Sequence, residues 1–338
     1  MANPESRGVA AGRFAPFHRG HQHLIERARG LVDALDVVVM HGPEDELAPE
    51  LRTGWIRDAF AEHPQVQVHA VADSGDSAAA VAARIGSVPD ICFTGTGHEG
   101  WSTTLGARHV EIDRLSGIDS RIVRADALAA LDQLPGGTRA SVVRRVCVLG
   151  AESTGKTTLA RDLADALATV WVPEYGRDYT ETLPDRLRYV WTTPDFEIIS
   201  KRQNWNEDRA ARYANRIAIV DTDAFATSLF HELYVGYRAP ELDAYLREYD
   251  LYLLTSIDTP FQMDVTGLRY DGDTRRFMDA THRRHAEESG KPWAVLQGPP
   301  QERLRTAVDA VDAMLARYAG PAALTDLRAP APVRVAAR

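Results

Sequence analysis

Short apolar runs alternate with segments of helical spacing along most of the chain. The predicted strands of the first half share a short apolar run, at residues 8–12, 36–40, 66–71 and 90–94. The predicted helices share apolar residues that recur every three or four positions, at about 22–32, 55–61, 77–85 and 124–134. Strands that alternate with helices are typical of a parallel sheet covered on both faces. The first half is therefore predicted to be a doubly wound α/β domain.

The same alternation begins again in the second half. Its predicted strands are residues 145–149, 169–172, 217–220, 251–255 and 293–296, and residues 301–318 form the last predicted helix. Pro135-Gly136-Gly137-Thr138 interrupts the pattern and is predicted to be a linker. We therefore expect two doubly wound parallel-sheet domains, at 1–138 and 139–320. The Ala- and Pro-rich residues 321–338 are expected to be a disordered tail.

Composition and charge restrict the class of function. The 338 residues carry a net charge of −9, which argues against the basic surface that nucleic-acid binding requires. No apolar run reaches the length of a membrane span, and the polar N-terminus lacks the core of a signal peptide. Cys92 and Cys147 lie far apart in predicted strands, as in a reduced protein. A cytoplasmic chain without nucleic-acid or membrane partners is expected, and a homo-oligomer stays open.

Residues Gly150–Thr157 read Gly-Ala-Glu-Ser-Thr-Gly-Lys-Thr and fit the phosphate-binding loop G-x-x-x-x-G-K-[ST]. The loop follows a predicted strand and precedes a predicted helix, so its backbone N–H groups point at a polyphosphate. Lys156 should reach the β and γ phosphates of ATP, and Thr157 should bind Mg²⁺. The residues expected to contact ATP here are Gly150, Glu152, Ser153, Thr154, Gly155, Lys156, Thr157 and Thr158.

A second nucleotide motif follows the first predicted strand. Gly12-x-Phe14-x-Pro16-x-His18-x-Gly20-His21 resembles the H-x-G-H box of the nucleotidylyltransferase superfamily. His18 and His21 can donate hydrogen bonds to phosphates while charge develops on leaving pyrophosphate. Gly12, Phe14 and Gly20 are expected to contact the nucleotide. Class I aminoacyl-tRNA synthetases carry a similar box, but their lysine-rich loop has no counterpart here.

Carboxylates end the strands beside the phosphate-binding loop. Glu174 can accept the proton of a ribose 5′-hydroxyl that attacks the γ-phosphorus of ATP. Asp221 is expected to hold Mg²⁺, with a helix N-cap as the alternative role, and Asp223 to bind ribose hydroxyls. Further residues expected to bind substrate or transferring phosphate are Tyr175, Arg177, Asp178, Arg269, Arg275 and Arg276. Tyr175, Tyr179 and Trp205 are candidates for stacking on a cationic ring.

Taken together, these motifs resemble the bifunctional nicotinamide-mononucleotide adenylyltransferase and ribosylnicotinamide kinase family, called NadR. The resemblance covers about residues 8–318 and includes Glu174–Tyr179, Asp221–Asp223, Thr259-Pro260 and Gly267-Leu268-Arg269. It implies that the second domain phosphorylates nicotinamide riboside with ATP and Mg²⁺. It also implies that the first domain adenylylates nicotinamide mononucleotide to give NAD. The DNA-binding segment of some relatives is expected to have no counterpart.

Two departures from the family concern the first domain. The family has a serine where this chain has Asp119, which is predicted to repel the triphosphate, whereas Arg124 matches. The loop after Val71 is also shorter than in relatives. Two alternatives therefore stay open. One is a coenzyme A-type fusion of adenylyltransferase and kinase, and the other is a kinase whose first domain only senses nucleotides.

Overall fold

The chain forms two compact units. The computed structural model describes residues 6–73, 77–95, 100–185, 188–258 and 272–330, with backbone alone for residues 100 and 101. The first unit combines Met1–Val142 with Ala323–Arg338, and the second is Val143–Ala322. None of the helices in these described ranges is both long and apolar enough to cross a bilayer.

The first unit is built on a five-stranded parallel sheet. Its elements are β1 (Arg7–Gly12), α1 (Arg19–Arg29), β2 (Ala34–His41), α2 (Pro49–Ala59), β3 (Val66–Ala72), α3 (Ser77–Ile85), β4 (Ile91–Thr94), α4 (Gly100–Leu105), β5 (Arg108–Glu111), α5 (Ser120–Ala125) and α6 (Gly136–Val142). The strand order is β3-β2-β1-β4-β5. β1 pairs with β2 and β4, so the chain reverses its direction of winding at β1.

Both faces of this sheet are buried, which explains the apolar runs. Val37 and Val39 of β2 pack with Ile25 of α1 and Trp55 of α2. Side chains of a strand alternate between faces, and Val38 accordingly packs on the other side with residues of α3 and α4. A strand covered on both sides reads as a continuous apolar run. The predicted doubly wound fold is confirmed.

The second unit has a parallel sheet of the same size. Its elements are β6 (Arg144–Gly150), α7 (Lys156–Ala166), β7 (Val170–Val172), α8 (Tyr175–Thr182), α9 (Thr193–Ala211), β8 (Ile217–Asp221), α10 (Ala224–Val235), β9 (Leu251–Thr255), α11 (Gly272–Glu288), β10 (Trp293–Leu296) and α12 (Pro300–Ala316). The strand order is β10-β9-β6-β8-β7. β6 lies in the centre, with β8 and β9 beside it.

Each of the two nucleotide motifs begins at the end of a central strand, β1 or β6, at the point where the direction of winding reverses. Loops at this point, beyond the carboxyl ends of the strands, are where open α/β sheets bind ligands. Residues 13–18 follow β1 in the first unit, and residues 151–155 follow β6 in the second. The fold therefore places one candidate site in each unit.

The segment predicted to be a linker is part of a packed helix instead. Gly136 begins α6, and Gly137 and Thr138 are buried in it. A Cβ at Gly137 would overlap the Asp58 carboxylate of α2, so the glycine allows the two helices to approach closely. Trp55 of α2 also donates from Nε1 to Ser141 Oγ at 2.8 Å. Gly137, which suggested a break in the chain, is needed for close packing of the two helices. The boundary between the two units falls later, between Val142 and Val143.

Three other expectations about the elements differ from the structure. The helix expected at 124–134 is replaced by α5 and a 3-10 turn at Leu131–Gln133. α4 and β5 were not predicted, because β5 is short and mostly polar at the sheet edge. Residues 321–330 of the expected tail are ordered, with Ala323 buried and Leu327 packed against the first core. The remaining tail residues, 331–338, lie outside the described ranges.

Candidate active sites

The loop that leaves β1 is shaped by its own histidine. His18 is the N-cap of α1, and its Nδ1 accepts hydrogen bonds from the N–H groups of Gly20 (3.1 Å) and His21 (3.3 Å). Because Nδ1 accepts, the neutral ring carries its proton on Nε2. That atom lies 2.7 Å from Ser120 Oγ at the start of α5. His18 thus joins the loop to a helix from the far end of the unit.

His18 and His21 form a stacked, neutral pair. Their ring centroids are 3.7 Å apart and their planes differ by 12°. Burial lowers the pKa of His18 to about 4. Burial and the neighbouring His18 lower the pKa of His21 well below its ordinary value. Both rings therefore supply N–H donors rather than positive charge at neutral pH. The nearby cation is Arg124, whose Nη1 donates to Ala15 O at 3.0 Å.

The predicted glycine and phenylalanine positions surround this pair. Phe14 has a positive φ of 48° and packs edge-on against His21. A Cβ at Gly12 would lie 3.4 Å from the Phe14 ring, and one at Gly20 would lie 3.0 Å from His18 Cε1. At Gly20 the added Cβ would be tighter than ordinary contact, so the His18 ring would have to give way, whereas at Gly12 it would reach ordinary van der Waals contact with Phe14.

A cavity of about 590 Å³ opens over the loop. The predicted residues Gly12, Phe14, His18, Gly20 and His21 line it, while Arg124 does not. This volume lies in the range that small-molecule sites occupy. The other polar side chains that line the cavity are Arg13, Asp73, Ser77, Thr94, Asp113, Arg114, Asp119 and Ser120.

Asp119 is a helix cap whose charge is paired with Arg121. Its Oδ1 accepts from the N–H of Arg121 at 2.7 Å, and its Oδ2 lies 2.8 Å from Arg121 Nη2. Hydrogen bonds from Arg121 lower the pKa of Asp119 to about 2. The carboxylate does line the cavity, but its neighbour Arg121 balances its charge. The serine that meets His18 is Ser120, one position later than the sequence comparison suggested.

A buried arginine that the sequence reading missed supports the same loop. Arg52 of α2 is fully buried, and its Nη1 donates to Arg13 O (2.8 Å) and Met40 O (3.1 Å). Its Nη2 lies 3.0 Å from Asp45, which also pairs with the Arg13 side chain. Arg52 therefore fixes the backbone just after β1. After Val71, β3 continues to Ala72, Asp73 lines the cavity, and residues 74–76 lie outside the described ranges.

The phosphate-binding loop of the second unit has the backbone that its glycines allow. Gly150 ends β6 with φ 153°, and a Cβ there would overlap Thr255 Oγ1 and lie 2.8 Å from Thr255 O. Gly155 is the N-cap of α7 with φ 84°, and Ser153 also has a positive φ, 56°. Lys156 begins α7, is buried, and donates from Nζ to Ala151 O at 2.9 Å. The side chain of Lys156 thus folds back onto the backbone of the loop that precedes it.

Two residues from later elements hold this loop. Thr255 of β9 donates to Leu149 O at 3.1 Å and lies 2.7 Å from Thr154 Oγ1. Arg303 of α12 donates from Nη1 to Thr154 O at 2.8 Å and pairs with Asp258. Sequence reasoning missed both residues, because neither carries a motif of its own.

Glu174 and Asp221 form an acidic pair beside Lys156. Burial, and then the charge of Asp221, raises the pKa of Glu174 to about 7, while Lys156 lowers it. Burial also raises the pKa of Asp221, against the opposing effects of the Thr157 hydroxyl and Lys156. Glu152 adds negative charge to this environment, and Arg177 adds positive charge. The predicted residues of the phosphate loop and the two strand ends are thus brought together.

The buried oxygens of Asp221 suit a cation. Asp221 is fully buried, and neither carboxylate oxygen makes a hydrogen bond to another described residue. Thr157 is close enough to lower its pKa. Among the described residues, no group of three or more His, Cys, Asp or Glu side chains is arranged to hold a metal ion. A hydroxyl, one carboxylate and phosphate oxygens are the kind of ligand set that Mg²⁺ takes beside a nucleotide.

Asp223, rather than Asp221, caps the following helix. Its Oδ1 accepts from the N–H of Ala226 at 2.9 Å, and its Oδ2 lies 3.7 Å from His285 Nε2. Thr222 between the two aspartates has a positive φ of 64°, which turns their side chains to different neighbours. Asp223 is buried. Because its Oδ1 already caps the helix, a ribose hydroxyl would have to bind the same carboxylate that forms this cap.

The other predicted substrate residues fall into different surroundings. Tyr175 begins α8 and donates its backbone N–H to Gln203, while Tyr179 donates its hydroxyl to Asp195 at 2.6 Å. Asp178 and Thr158 are exposed on their helices. Trp205 is covered by the guanidinium groups of Arg202 and Arg209, at 4.1 and 4.6 Å, and does not join the tyrosines. Arg269 and the 259–260 and 267–269 segments lie outside the described ranges.

An aromatic cluster beside Tyr179 was also missed. The Trp191 ring centroid lies 6.3 Å from Tyr179 and 5.5 Å from Tyr234, which it stacks on at 25°. Asp195 Oδ1 accepts from both Tyr179 and Tyr189 and so orients two rings of the cluster. Trp191 and Tyr234 lie outside the motifs. Their membership of this cluster is visible only once the fold brings the segment before α9 next to α10.

The fold and the two loops define a two-domain protein that combines a nucleotidylyltransferase-type unit with a P-loop kinase-type unit. The profile of a family described as "AAA domain" matches residues 145–303. The trifunctional NAD biosynthesis/regulator protein NadR of Escherichia coli (strain K12) is 28% identical, covering 79% of this chain and 72% of that protein. The chain is a homologue of NadR-type proteins, as its motifs predicted.

Solved structures show the same fold across both units. A crystal structure of NadR protein in complex with NR matches with TM-score 0.70 at 20% identity, covering 92% of this chain and 96% of that one. A crystal structure of NadR protein in complex with NAD and AMP-PNP matches with TM-score 0.68 at 21% identity and the same coverage.

Proposed function

We propose that the second unit phosphorylates nicotinamide riboside with ATP and that the first unit adenylylates the resulting mononucleotide to NAD. The observation that carries the kinase half is the acidic pair beside Lys156. Glu174 has its pKa raised to about 7, is the N-cap of α8 after β7, and is close enough to Lys156 for that charge to act on it. A carboxylate whose pKa is near neutral is well matched to general-base work at that pH.

In the kinase step, Glu174 takes the proton from the ribose 5′-hydroxyl. The 5′-oxygen attacks the γ-phosphorus of ATP, and ADP leaves. Lys156 and the N–H groups of the phosphate-binding loop neutralise charge on the phosphates. Thr157 and Asp221 would hold Mg²⁺, which draws charge from the phosphate oxygens. Arg177 is half-buried, its charge acts on both carboxyls of the acidic pair, and it would contact phosphate there.

The acceptor is proposed from the ring chemistry near Glu174. Nicotinamide riboside carries a flat cationic ring, and aromatic faces attract such rings. Tyr175 and Tyr179 stand on α8 directly after Glu174, and Trp191 and Tyr234 continue the aromatic surface. The names of the homologue and of the two solved structures, with NR, NAD and AMP-PNP, agree with this chemistry.

In the first unit, a phosphate oxygen of the mononucleotide attacks the α-phosphorus of ATP and pyrophosphate leaves. His18 and His21 are neutral rings on the cavity wall and bring no extra positive charge. The leaving phosphates would accept the N–H of His21 and would share the Nε2–H of His18 with the Ser120 hydroxyl. Arg124 supplies the charge beside them. We further propose a cytoplasmic location, in keeping with two buried free thiols in separate units.

A substrate panel tests both halves. The purified chain is incubated with ATP, Mg²⁺ and a series of ribosides, mononucleotides, phosphopantetheine and dephospho-coenzyme A, and ADP, pyrophosphate and NAD are measured separately. We expect the fastest ADP release with nicotinamide riboside and NAD formation from nicotinamide mononucleotide. A clear preference for dephospho-coenzyme A over every riboside would favour the coenzyme A-type alternative. Binding of nucleotides by the first unit without pyrophosphate release would favour a sensing role.

A further inference from the structure

His282 lies on the buried face of α11, between the phosphate-binding loop and Asp223. One turn before it, Met278 packs with Ala151 of the loop and Leu229 of α10. One turn after it, His285 stacks on Phe225 at 3.7 Å and approaches Asp223. Lys156 and Asp223 are the charged neighbours that act on the His282 ring. The imidazole therefore lies on a helix packed against the phosphate-binding loop, close enough to Lys156 for that charge to act on it.

The surroundings of His282 leave its polar atoms unsatisfied. The residue is 1% exposed, and neither ring nitrogen has a hydrogen-bond partner among the described residues. Burial, and then Lys156, lowers the pKa of His282 to about 3, so the ring is neutral. A neutral imidazole has one N–H donor and one acceptor, and burying both without partners destabilises the free protein. An apolar side chain would suit this position better if packing were its only role.

We propose that His282 donates a hydrogen bond to the phosphoryl group that is transferred from ATP. This inference rests on the proposed kinase function, because it requires phosphoryl transfer from ATP. It does not depend on which molecule accepts the phosphoryl group. The ring lies on the Lys156 side of the site, where phosphate oxygens supply acceptors. A neutral donor adds a hydrogen bond there without placing a second cation beside Lys156 when nucleotide is absent. His282 is thus an additional substrate-contacting residue.

Nucleotide binding tests the contact without requiring turnover. The affinities of ADP and AMP-PNP with Mg²⁺ are measured by calorimetry on the full chain and on His282→Leu. ADP lacks the γ-phosphate, so only AMP-PNP can use the proposed bond. We expect the mutant to bind AMP-PNP about tenfold more weakly or worse, with ADP affinity changed less than about twofold. The His282→Gln variant, whose amide can donate from a similar position, should recover part of the loss.

Stability and kinetics separate a ligand contact from a packing role. The unliganded His282→Leu protein should melt at the same temperature as the wild type or higher, because two unsatisfied atoms are removed. Its kcat for the kinase reaction should fall roughly ten- to hundredfold, with KM for the riboside nearly unchanged. Met278→Leu, a volume-conserving change one turn away, is the matched control and should preserve the ratio of the two affinities.

Three results would overturn the proposal. Equal weakening of ADP and AMP-PNP binding would assign His282 to the shape of the loop. Unchanged AMP-PNP binding with a raised riboside KM would place the ring on the acceptor instead. A lower melting temperature with proportional loss of both affinities would indicate a structural role. Absence of activity on any riboside would remove the proposed function, yet the comparison of ADP with AMP-PNP would still decide the phosphate contact.

Discussion

The Nε2 atom of His18 and the Oγ atom of Ser120 lie 2.7 Å apart, although 102 positions separate the two residues. The pair connects the loop after β1 to the first residue of α5. It also fixes which nitrogen of His18 carries the proton, because the other nitrogen already accepts from the helix N-terminus. The orientation of the H-x-G-H histidine thus depends on a residue outside that motif.

Removing the Ser120 hydroxyl should therefore impair the first unit alone. Ser120→Ala leaves His18 without its partner, and we expect NAD formation from the mononucleotide to fall roughly tenfold, the scale of one lost hydrogen bond to a buried group. Riboside phosphorylation should stay at the wild-type rate. Ser141→Ala, which removes a buried hydroxyl elsewhere in the same unit, serves as control and should lower the melting temperature without changing KM for ATP. Equal losses of NAD formation in both variants would point to general destabilisation.

Asp119→Ser should have a small effect on the same reaction. The Asp119 charge is balanced by Arg121, and serine is itself a good helix N-cap. We expect KM for ATP in NAD formation to change less than about threefold, within the range of exposed ion pairs. A severalfold fall in that KM would restore the interpretation of Asp119 as a source of phosphate repulsion.

Glu174→Gln should abolish most kinase turnover. The amide keeps the shape of the side chain but cannot take a proton, so we expect kcat to fall about a hundredfold or more. ATP affinity, measured by calorimetry, should change little. In the wild type, kcat/KM should rise with pH up to about 7, because the base works only when deprotonated. A flat profile from pH 5.5 to 8.5 would transfer the base role elsewhere.

The same variant should alter how stability depends on pH. The pKa of Glu174 is higher in the folded chain than in the unfolded chain, so the folded state binds the proton more tightly between the two values. The wild type therefore loses stability as pH rises from the ordinary glutamate range through about 7. Glu174→Gln, which resembles the protonated form, should melt roughly 1–4 °C above the wild type at pH 8 and less so at pH 5. A constant difference across this range would contradict the raised pKa.

The two nucleotide sites should be separable by mutation. Lys156→Ala should stop phosphorylation of nicotinamide riboside and leave NAD formation from supplied mononucleotide unchanged, because Lys156 belongs to the second unit. His18→Ala combined with His21→Ala should have the reverse effect. The two products, mononucleotide and NAD, are followed in separate assays. Loss of both activities in a folded Lys156→Ala protein would show that the units depend on one another.

Thr255→Val should weaken ATP binding from outside the phosphate-binding loop. The substitution keeps the volume of Thr255 but removes its hydrogen bonds to Leu149 O and Thr154 Oγ1. We expect a destabilisation of the second unit of about 1–3 kcal/mol and a higher KM for ATP. Differential scanning calorimetry should show the shift in the transition of the second unit. A wild-type KM would mean that Gly150 and Arg303 suffice to hold the loop.

The strands of the sheets could be predicted well because their burial produces their pattern. β9 occupies the predicted residues 251–255, since a strand covered on both faces reads as an apolar run, and the partly buried edge strand β10 also occupies its predicted residues, 293–296. β5 was missed because it carries Arg, His and Glu at the sheet edge. α6 was missed because Gly137 was interpreted as a break, whereas it permits close contact with α2.

The sites were predictable where their residues are neighbours in sequence or, like Glu174 and Asp221, follow a predicted strand. The loops at 12–21 and 150–157 contain their own signatures, because a tight turn around phosphate needs specific residues in a row. Arg52 and His282 come from other helices, and nothing in their local sequence points to the site, whereas Ser120 lies between Asp119 and Arg124 but was not itself predicted to meet His18. Their roles depend on which elements the sheet brings together, and that is a property of the fold.

The hydrogen bond from Arg303 to Thr154 O has a consequence for synthesis of the chain. The phosphate-binding loop leaves the ribosome 149 residues before the side chain that clamps its carbonyl. Domains fold as units, so the nascent loop cannot take its final shape until α12 has emerged and docked. A transcript cut short before α12 would still encode every letter of the phosphate-binding signature, yet its product would lack the Arg303 hydrogen bond to the loop and would keep the contacts of Thr255.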